Sequence, residues 1–171
     1  MSASIPLSGS ARPQDWPVTV WGLEQLDQVL AIEQQAYSHP WTAGHFRDAL
    51  AAGYHGMALV QDDRVCAYLV AMRGVDEVHL LNITVAPPWQ GQGLARRLLD
   101  ALCDWSRGQG AQWLWLEVRQ SNLHALQVYE HYGFRRVGLR KDYYPAGRTQ
   151  REAAVVMSLP LMTATSRAPD H

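Results

Sequence analysis

The sequence predicts an α/β or α+β domain, in which one sheet carries helices on its faces. Two observations support this fold class. Short apolar runs of strand length recur along the chain, and segments with helical periodicity stand before, between and after them. The length of 171 residues suits one domain, and 47% apolar with 18% charged residues is typical of a globular protein.

The first half of the chain predicts two helices and three strands. Apolar residues recur at roughly helical spacing between positions 23 and 37, and Thr42 is expected to begin a second, shorter helix. Apolar runs then predict strands, with a polar hairpin turn at 61–64 and a stop at Pro87. These strands are predicted at 57–60, 65–73 and 78–85.

The second half contains the clearest helix, predicted from 91 to 107. Its apolar residues fall at i, i+4, i+8 and i+11, namely Leu94, Leu98, Leu102 and Trp105. A strand is predicted at 113–118, followed by a helix that Ser121 or Asn122 caps and Gly133 ends. Two final strands are predicted near 137–143 and 153–159.

Composition excludes several classes of protein. A net charge of −1 provides no global basic field for nucleic acid. Cys66 and Cys103 are far apart in sequence, which predicts buried thiols rather than a disulfide or a zinc site. No apolar run approaches the roughly 18 residues of a membrane span, and residues 1–17 do not resemble a secretory signal. We therefore expect a cytoplasmic protein with a domain at 18–161 and flexible tails at 1–17 and 162–171.

A glycine-rich loop links the strand at 80–85 to the clearest helix. Glycines leave the backbone N–H groups accessible to a ligand, and a helix N-terminus favours negative charge. A phosphate or pyrophosphate is therefore the expected ligand. The GxxxxGK run of a P-loop is absent, and Arg96 occupies the place of the last glycine in a dinucleotide fingerprint. The alternative is a turn that only begins a helix.

A second group of residues follows this loop. Glu117 is the one acidic residue in an apolar strand, and it is either solvent-facing or held at a site. Asn122 and Tyr129 are seven residues apart, close to two helical turns, so they share a face about 10 Å apart along the axis. Beside Glu117 they make a possible site wall, although Tyr129 would equally suit a core.

Several motifs together resemble the GNAT superfamily of acetyltransferases, in its RimI branch, over roughly residues 20–161. These are Leu-Asn-Ile-Thr-Val at 81–85, Gln-Gly-Gln-Gly-Leu-Ala-Arg at 90–96, Leu-Trp-Leu-Glu-Val-Arg at 114–119, Tyr-Tyr-Pro at 143–145 and Pro-Trp at 40–41. The resemblance implies a single GNAT-like domain whose sheet is mixed and mostly antiparallel. It also implies helices on both faces and a split between the two central strands.

The resemblance also implies the reaction and its residues. Acetyl-CoA would be the cosubstrate, without a metal, and the acceptor would be the N-terminal alanine of a small-subunit ribosomal protein, without contact to nucleic acid or a membrane. Glu117 would be the general base and Tyr129 the general acid. The cofactor would contact Ile83, Thr84, Val85, Gly91, Gln92, Gly93, Leu94, Ala95, Arg96 and Asn122.

Two of these positions depart from the family pattern, since glycine is commoner at Ala95 and a basic or polar residue at Gly91. Other acceptors, a protein lysine or a small-molecule amine, stay open at this stage. A non-catalytic acyl-CoA-binding module is a further alternative, which would predict loss of the base or the acid, whereas both residue types are present.

Overall fold

The computed structural model describes residues 12–161, which form a seven-stranded sheet with α-helices on both faces. The α-helices are α1 Leu26–Ala36, α2 Ala43–Ala51, α3 Leu94–Gly108 and α4 Leu123–Tyr132. The strands are β1 Val18–Val20, β2 His55–Gln61, β3 Arg64–Arg73, β4 Glu77–Val85, β5 Trp113–Arg119, β6 Arg135–Ala146 and β7 Gln150–Pro160.

The predicted elements of the first half are present with small shifts at their ends. α1 begins at Leu26, because residues 23–25 form a separate 3-10 turn. Thr42 caps α2 as predicted, and its hydroxyl accepts the backbone N–H of His45 at 3.2 Å. Asp62 and Asp63 form the β2–β3 turn with positive φ of 48° and 61°, a conformation that aspartate tolerates in tight hairpins.

The helices of the second half differ from prediction at one end. α3 begins at Leu94 rather than at 91, because Gly91 and Gly93 have φ of +78° and +80°, outside the right-handed helical region. Asn122 rather than Ser121 caps α4, since its Oδ1 accepts the backbone N–H of Ala125 at 3.2 Å. Gly133 ends α4 as predicted.

The sheet has the order β1-β2-β3-β4-β5-β7-β6, and every neighbouring pair is antiparallel except β4 and β5. The parallel pairing runs only from Glu77 opposite Trp113 to Leu80 opposite Leu116. A bulge at the next residue of β4, Leu81, marks the point where the two strands separate. The mixed, mostly antiparallel sheet with a central split is therefore confirmed.

Two apolar cores cover the two faces of the sheet. α3 and α4 pack on one face around Leu99, Leu102 and Leu114, while α1 and α2 cover the other around Phe46 and Tyr68. The prediction of helices on both faces is thus confirmed. Both cysteines are buried free thiols, as expected.

Ordered packing begins before the predicted domain boundary at residue 18. Trp16 is 3% exposed and meets Trp89 edge to face, with ring centroids 4.9 Å apart. The Arg97 guanidinium of α3 donates to the carbonyl oxygens of Pro13 at 3.0 Å and Trp16 at 2.8 Å. Pro13 and Trp16, which fall in the predicted N-terminal tail, are therefore packed against the domain, while residues 1–11 and 162–171 of the predicted tails lie outside the described residues.

Candidate active site

The predicted phosphate loop leads from β4 into α3. A 3-10 turn at Pro87–Trp89 ends the strand region, and Gly91 and Gly93 then reverse the chain through left-handed backbone. The first backbone hydrogen bond of α3 runs from the Arg97 N–H to the Gly93 carbonyl oxygen, at 3.2 Å. The N–H groups of Leu94, Ala95 and Arg96 precede that bond, so they have no intrahelical acceptor and are suited to a phosphate.

Residues 83–85 of β4 run beside the split. Because pairing with β5 ends at Leu80, the β4 backbone groups that face β5 beyond this point are not used by that strand. On its other side the same segment remains paired with β3, as in Val85 opposite Ala67. The free strand edge suits the amide groups of an extended ligand arm, and it leads directly to the phosphate loop. The residues present therefore fit the pantetheine and pyrophosphate of acetyl-CoA.

Glu117 is the first residue of β5 after the strands separate, since the last β4–β5 pair involves Leu116. Its side chain is 25% exposed, and Oε1 lies 3.2 Å from Nε of Arg140. The Tyr143 hydroxyl also forms a hydrogen bond with this carboxylate. Burial is the main reason that the pKa of Tyr143 is raised, and the bond to Glu117 raises it further. Glu117 is therefore partly exposed and held by partners at the apex of the split, and its role at a site stays a prediction.

Tyr129 lies on α4, partly buried, with its ring 5.7 Å from that of Phe134. Burial raises the pKa of Tyr129, and Tyr37 and Tyr144 raise it further. Burial likewise raises the pKa of Tyr144, and the Glu117 carboxylate adds to that effect. Tyr144 thus interacts electrostatically with both Glu117 and Tyr129, whose roles as base and acid stay predictions. Tyr129 also packs against the core, as the alternative interpretation expected.

The remaining predicted cofactor residues lie around the same loop. Gln92 and Arg96 are exposed, whereas Leu94 is buried and anchors the beginning of α3. The side chain of Asn122 is used to cap α4, and its contact with the cofactor stays a prediction. A cavity of about 320 Å³ between α3 and α4 adjoins the loop, and its lining includes Arg96, His124 and His131.

Sequence reasoning missed a buried polar group under the split strand. Glu33 is 2% exposed, and its carboxylate accepts hydrogen bonds from the Tyr68 hydroxyl and from Asn82 Nδ2, the latter at 3.0 Å. Glu33 stands seven residues after Leu26 on the buried face of α1, so an acidic residue at an apolar position was the available clue. Tyr37, which bonds to residues 83 and 84, was missed as well.

The residues 12–161 contain no group of three or more metal-ligating side chains that could hold an ion. In the same part of the chain, no helix is long and apolar enough to cross a membrane.

A mixed sheet that splits between its parallel strands, with a glycine loop leading into a helix beside the split, is the fold of an acetyl-CoA-dependent acetyltransferase. The chain matches the model of the acetyltransferase (GNAT) family over residues 26–134 and belongs to this family.

Relatives with assigned names cover most of the chain. The [ribosomal protein bS18]-alanine N-acetyltransferase of Escherichia coli strain K12 is 39% identical over 145 residues, which is 84% of this chain and 97% of the relative. The enzyme of the same name from Haemophilus ducreyi is 37% identical over 136 residues, covering 80% and 94%. The crystal structure of the Escherichia coli enzyme superposes with a TM-score of 0.79 at 35% identity, covering 89% of this chain and 97% of that one.

Proposed function

We propose that this protein transfers the acetyl group of acetyl-CoA to the N-terminal alanine of a small-subunit ribosomal protein, the counterpart of bS18. The position of Glu117 carries the proposal, because it places a carboxylate where the strands part and the acyl thioester would end. The names of the relatives at 37% and 39% identity support the acceptor. We expect the reaction to take place in the cytoplasm, without nucleic acid or membrane contact.

The loop and the strand edge would hold the cosubstrate. Backbone N–H groups of Gly91 to Arg96 would bind the pyrophosphate, and the free edge at Ile83, Thr84 and Val85 would pair with the pantetheine arm. Acetyl-CoA supplies an activated acyl thioester. Everything else that the reaction requires is positioning and the movement of two protons.

Glu117 would remove a proton from the acceptor amine. Arg140 and Tyr143 hold its carboxylate in place, so less side-chain ordering is required before the proton is removed. The attacking nitrogen forms a bond to the acetyl carbon while the carbon–sulfur bond breaks. The proton of the amine leaves to Glu117, and the electron pair of the broken bond stays on sulfur.

Tyr129 would return a proton to that sulfur. Its raised pKa keeps the phenol protonated at neutral pH, so the proton is present when the thiolate forms. A thiolate with an ordinary thiol pKa near 8.5 is a weaker base than a phenolate, so the transfer requires a dry, close contact. The partial burial of Tyr129 on α4 provides the dry environment.

The protonation of the acceptor favours an α-amine over a lysine. At an α-amino pKa of about 7.8, roughly one chain in seven is neutral at pH 7, against about one in 2,500 at a lysine pKa of 10.4. The difference corresponds to about 3.5 kcal/mol. A single carboxylate base without a metal therefore serves an N-terminal amine more easily.

The test compares two acceptors by mass spectrometry. The protein is incubated with acetyl-CoA and either a peptide with a free N-terminal alanine or an N-blocked peptide with one lysine. We expect acetyl on the free N-terminus, with kcat reduced about a hundredfold or more in Glu117→Gln and Tyr129→Phe. Glu24→Gln, an exposed carboxylate outside the site, is the matched control and keeps the parent rate.

Each other result points to a stated alternative. Acetyl on the lysine alone, or only on small-molecule amines, would keep the chemistry and refute the acceptor. Binding of acetyl-CoA without transfer to any amine would refute an enzymatic role and leave an acyl-CoA-binding module.

A further inference from the structure

Tyr37, the residue at which α1 ends, lies against the split strand. Its hydroxyl is 2.9 Å from Oγ1 of Thr84 and 3.1 Å from the carbonyl oxygen of Ile83. The residue as a whole keeps 39% of its surface exposed, so it borders the open side of the site while its hydroxyl is bonded to β4.

A chain of hydrogen bonds leads from Tyr37 to the buried carboxylate of Glu33. Oγ1 of Thr84 lies 2.8 Å from Oδ1 of Asn82, and Nδ2 of Asn82 lies 3.0 Å from Oε2 of Glu33. The other oxygen of Glu33 accepts the backbone N–H of Trp41 at 3.0 Å. The Asn82 amide, the Trp41 N–H and the Tyr68 hydroxyl all donate to Glu33, which is the acceptor in each of these bonds.

The buried carboxylate gives the chain one direction. Asn82 donates its N–H to Glu33, so its oxygen faces Thr84 and accepts the threonine proton. With its only proton used, Thr84 can act toward Tyr37 only as an acceptor. The Tyr37 proton therefore points inward, to Thr84 or to the Ile83 carbonyl, and the lone pairs of its oxygen stay available to a donor from outside.

We infer that Tyr37 binds the acceptor amine by accepting one of its N–H groups, and that Glu33 is a positioning residue that keeps the Tyr37 hydroxyl turned inward. The inference rests on the proposed function and names an acceptor-side contact for it. An amine or ammonium group always brings N–H donors, so an outward lone pair matches this class of acceptor.

Replacing Glu33 by leucine removes the acceptor that sets the direction of the chain. Asn82 and Tyr68 both donate to Oε2 of Glu33, so without it Asn82 turns its oxygen toward the Tyr68 hydroxyl and presents its NH2 to Thr84. The Thr84 proton then points to Tyr37 and occupies the lone pair that the amine would use. Glu33→Leu should therefore weaken amine binding although it touches no substrate, whereas Glu33→Gln can keep its oxygen toward Asn82 and Tyr68 and should retain the parent peptide KM.

The experiment measures KM for the N-terminal alanine peptide and for acetyl-CoA, with a peptide that lacks the α-amino group as a competitive inhibitor. In Tyr37→Phe we expect the KM of the amine peptide to rise about tenfold or more, while the KM of acetyl-CoA and the Ki of the des-amino peptide stay within about twofold. Tyr54→Phe removes a hydroxyl outside the network and is the matched control.

Three results would overturn the inference. An unchanged peptide KM in Tyr37→Phe removes the contact, and equal losses for the amine and des-amino peptides reduce Tyr37 to a shape-forming residue. A Glu33→Leu variant that binds acetyl-CoA and keeps the parent peptide KM removes the positioning role. If Glu33→Leu does not fold, Tyr37→Phe with the two peptides still decides the amine contact. These three results leave the proposed function standing, whereas a parent that acetylates no amine overturns the proposed function and this inference together.

Discussion

Replacing Gly93 by alanine tests whether the phosphate loop depends on left-handed backbone. Gly93 has φ of 80° and ψ of 14° immediately before α3, and a Cβ built there meets no atom within 4 Å. Alanine would therefore not clash, and its whole cost is conformational. A non-glycine residue in the left-handed region costs about 1–2 kcal/mol, and the loss of glycine entropy in the unfolded chain offsets part of this.

The expected net effect is a loss of about 1 kcal/mol in the free energy of unfolding, which corresponds to a fall in Tm of about 2–4 °C for a chain of this size. Urea unfolding followed by circular dichroism measures the first quantity, and a thermal melt the second. Gly108→Ala is the matched control, because Gly108 is a helical residue of α3 and its Cβ also meets open space. There alanine should leave stability unchanged or raise it by up to about 1 kcal/mol.

A Gly93→Ala variant as stable as the parent would refute the reasoning, since no packing change could hide the backbone cost. The same would hold if Gly93→Ala and Gly108→Ala shifted the Tm equally. Opposite signs for the two substitutions would show that the backbone conformation, rather than the loss of glycine as such, controls the loop.

Three further predictions follow from other parts of the structure. Leu99→Ala empties a fully buried position of α3 and should lower the free energy of unfolding by about 2–5 kcal/mol in urea, and a loss below 1 kcal/mol would contradict the packing. Hydrogen bonds from Ser121 hold the pKa of Glu152 below its usual range. The ionised carboxylate therefore stabilises the fold at a pH above the usual glutamate pKa, and this contribution is lost as the pH falls through the lowered pKa of the folded state. Glu152→Gln should therefore be less stable than the parent at pH 7, and the gap should close toward pH 3; a gap independent of pH would refute the assignment. Arg97→Met should release the segment around Trp16, which limited proteolysis detects as earlier cleavage before β1, and an unchanged cleavage pattern would argue against the clamp.

Much of the fold could be predicted because local patterns match the final packing. The helical spacing of Leu94, Leu98 and Leu102 is the buried face of α3, and Asn122 and Gly133 are the cap and stop that α4 uses. The end of α3 was predicted well and its beginning three residues early. Periodicity does not distinguish a glycine loop from a first turn, whereas the sign of φ does.

The site divides in the same way. Glu117 and the glycine loop were recognisable because each breaks a simple pattern, an acidic residue in an apolar strand and glycines before a helix. Tyr37 and Glu33 were not recognisable as parts of the site, because their partners at 82–84 are more than forty residues away in sequence. Their roles as catalytic, positioning or binding residues remain for the experiments above to test.

The sequence by itself determined the order of helices and strands, the two-sided core and the loop chemistry, since these depend on periodicity, caps and backbone freedom within short segments. Only the tertiary structure decided where β4 and β5 separate, what holds Glu117, and which groups surround the Tyr37 hydroxyl. These features arise from contacts between distant segments, such as the pairing that ends at Leu80 and Leu116. A one-dimensional pattern records which side chains are apolar, but the partner of each polar group is set by how the sheet brings remote strands together.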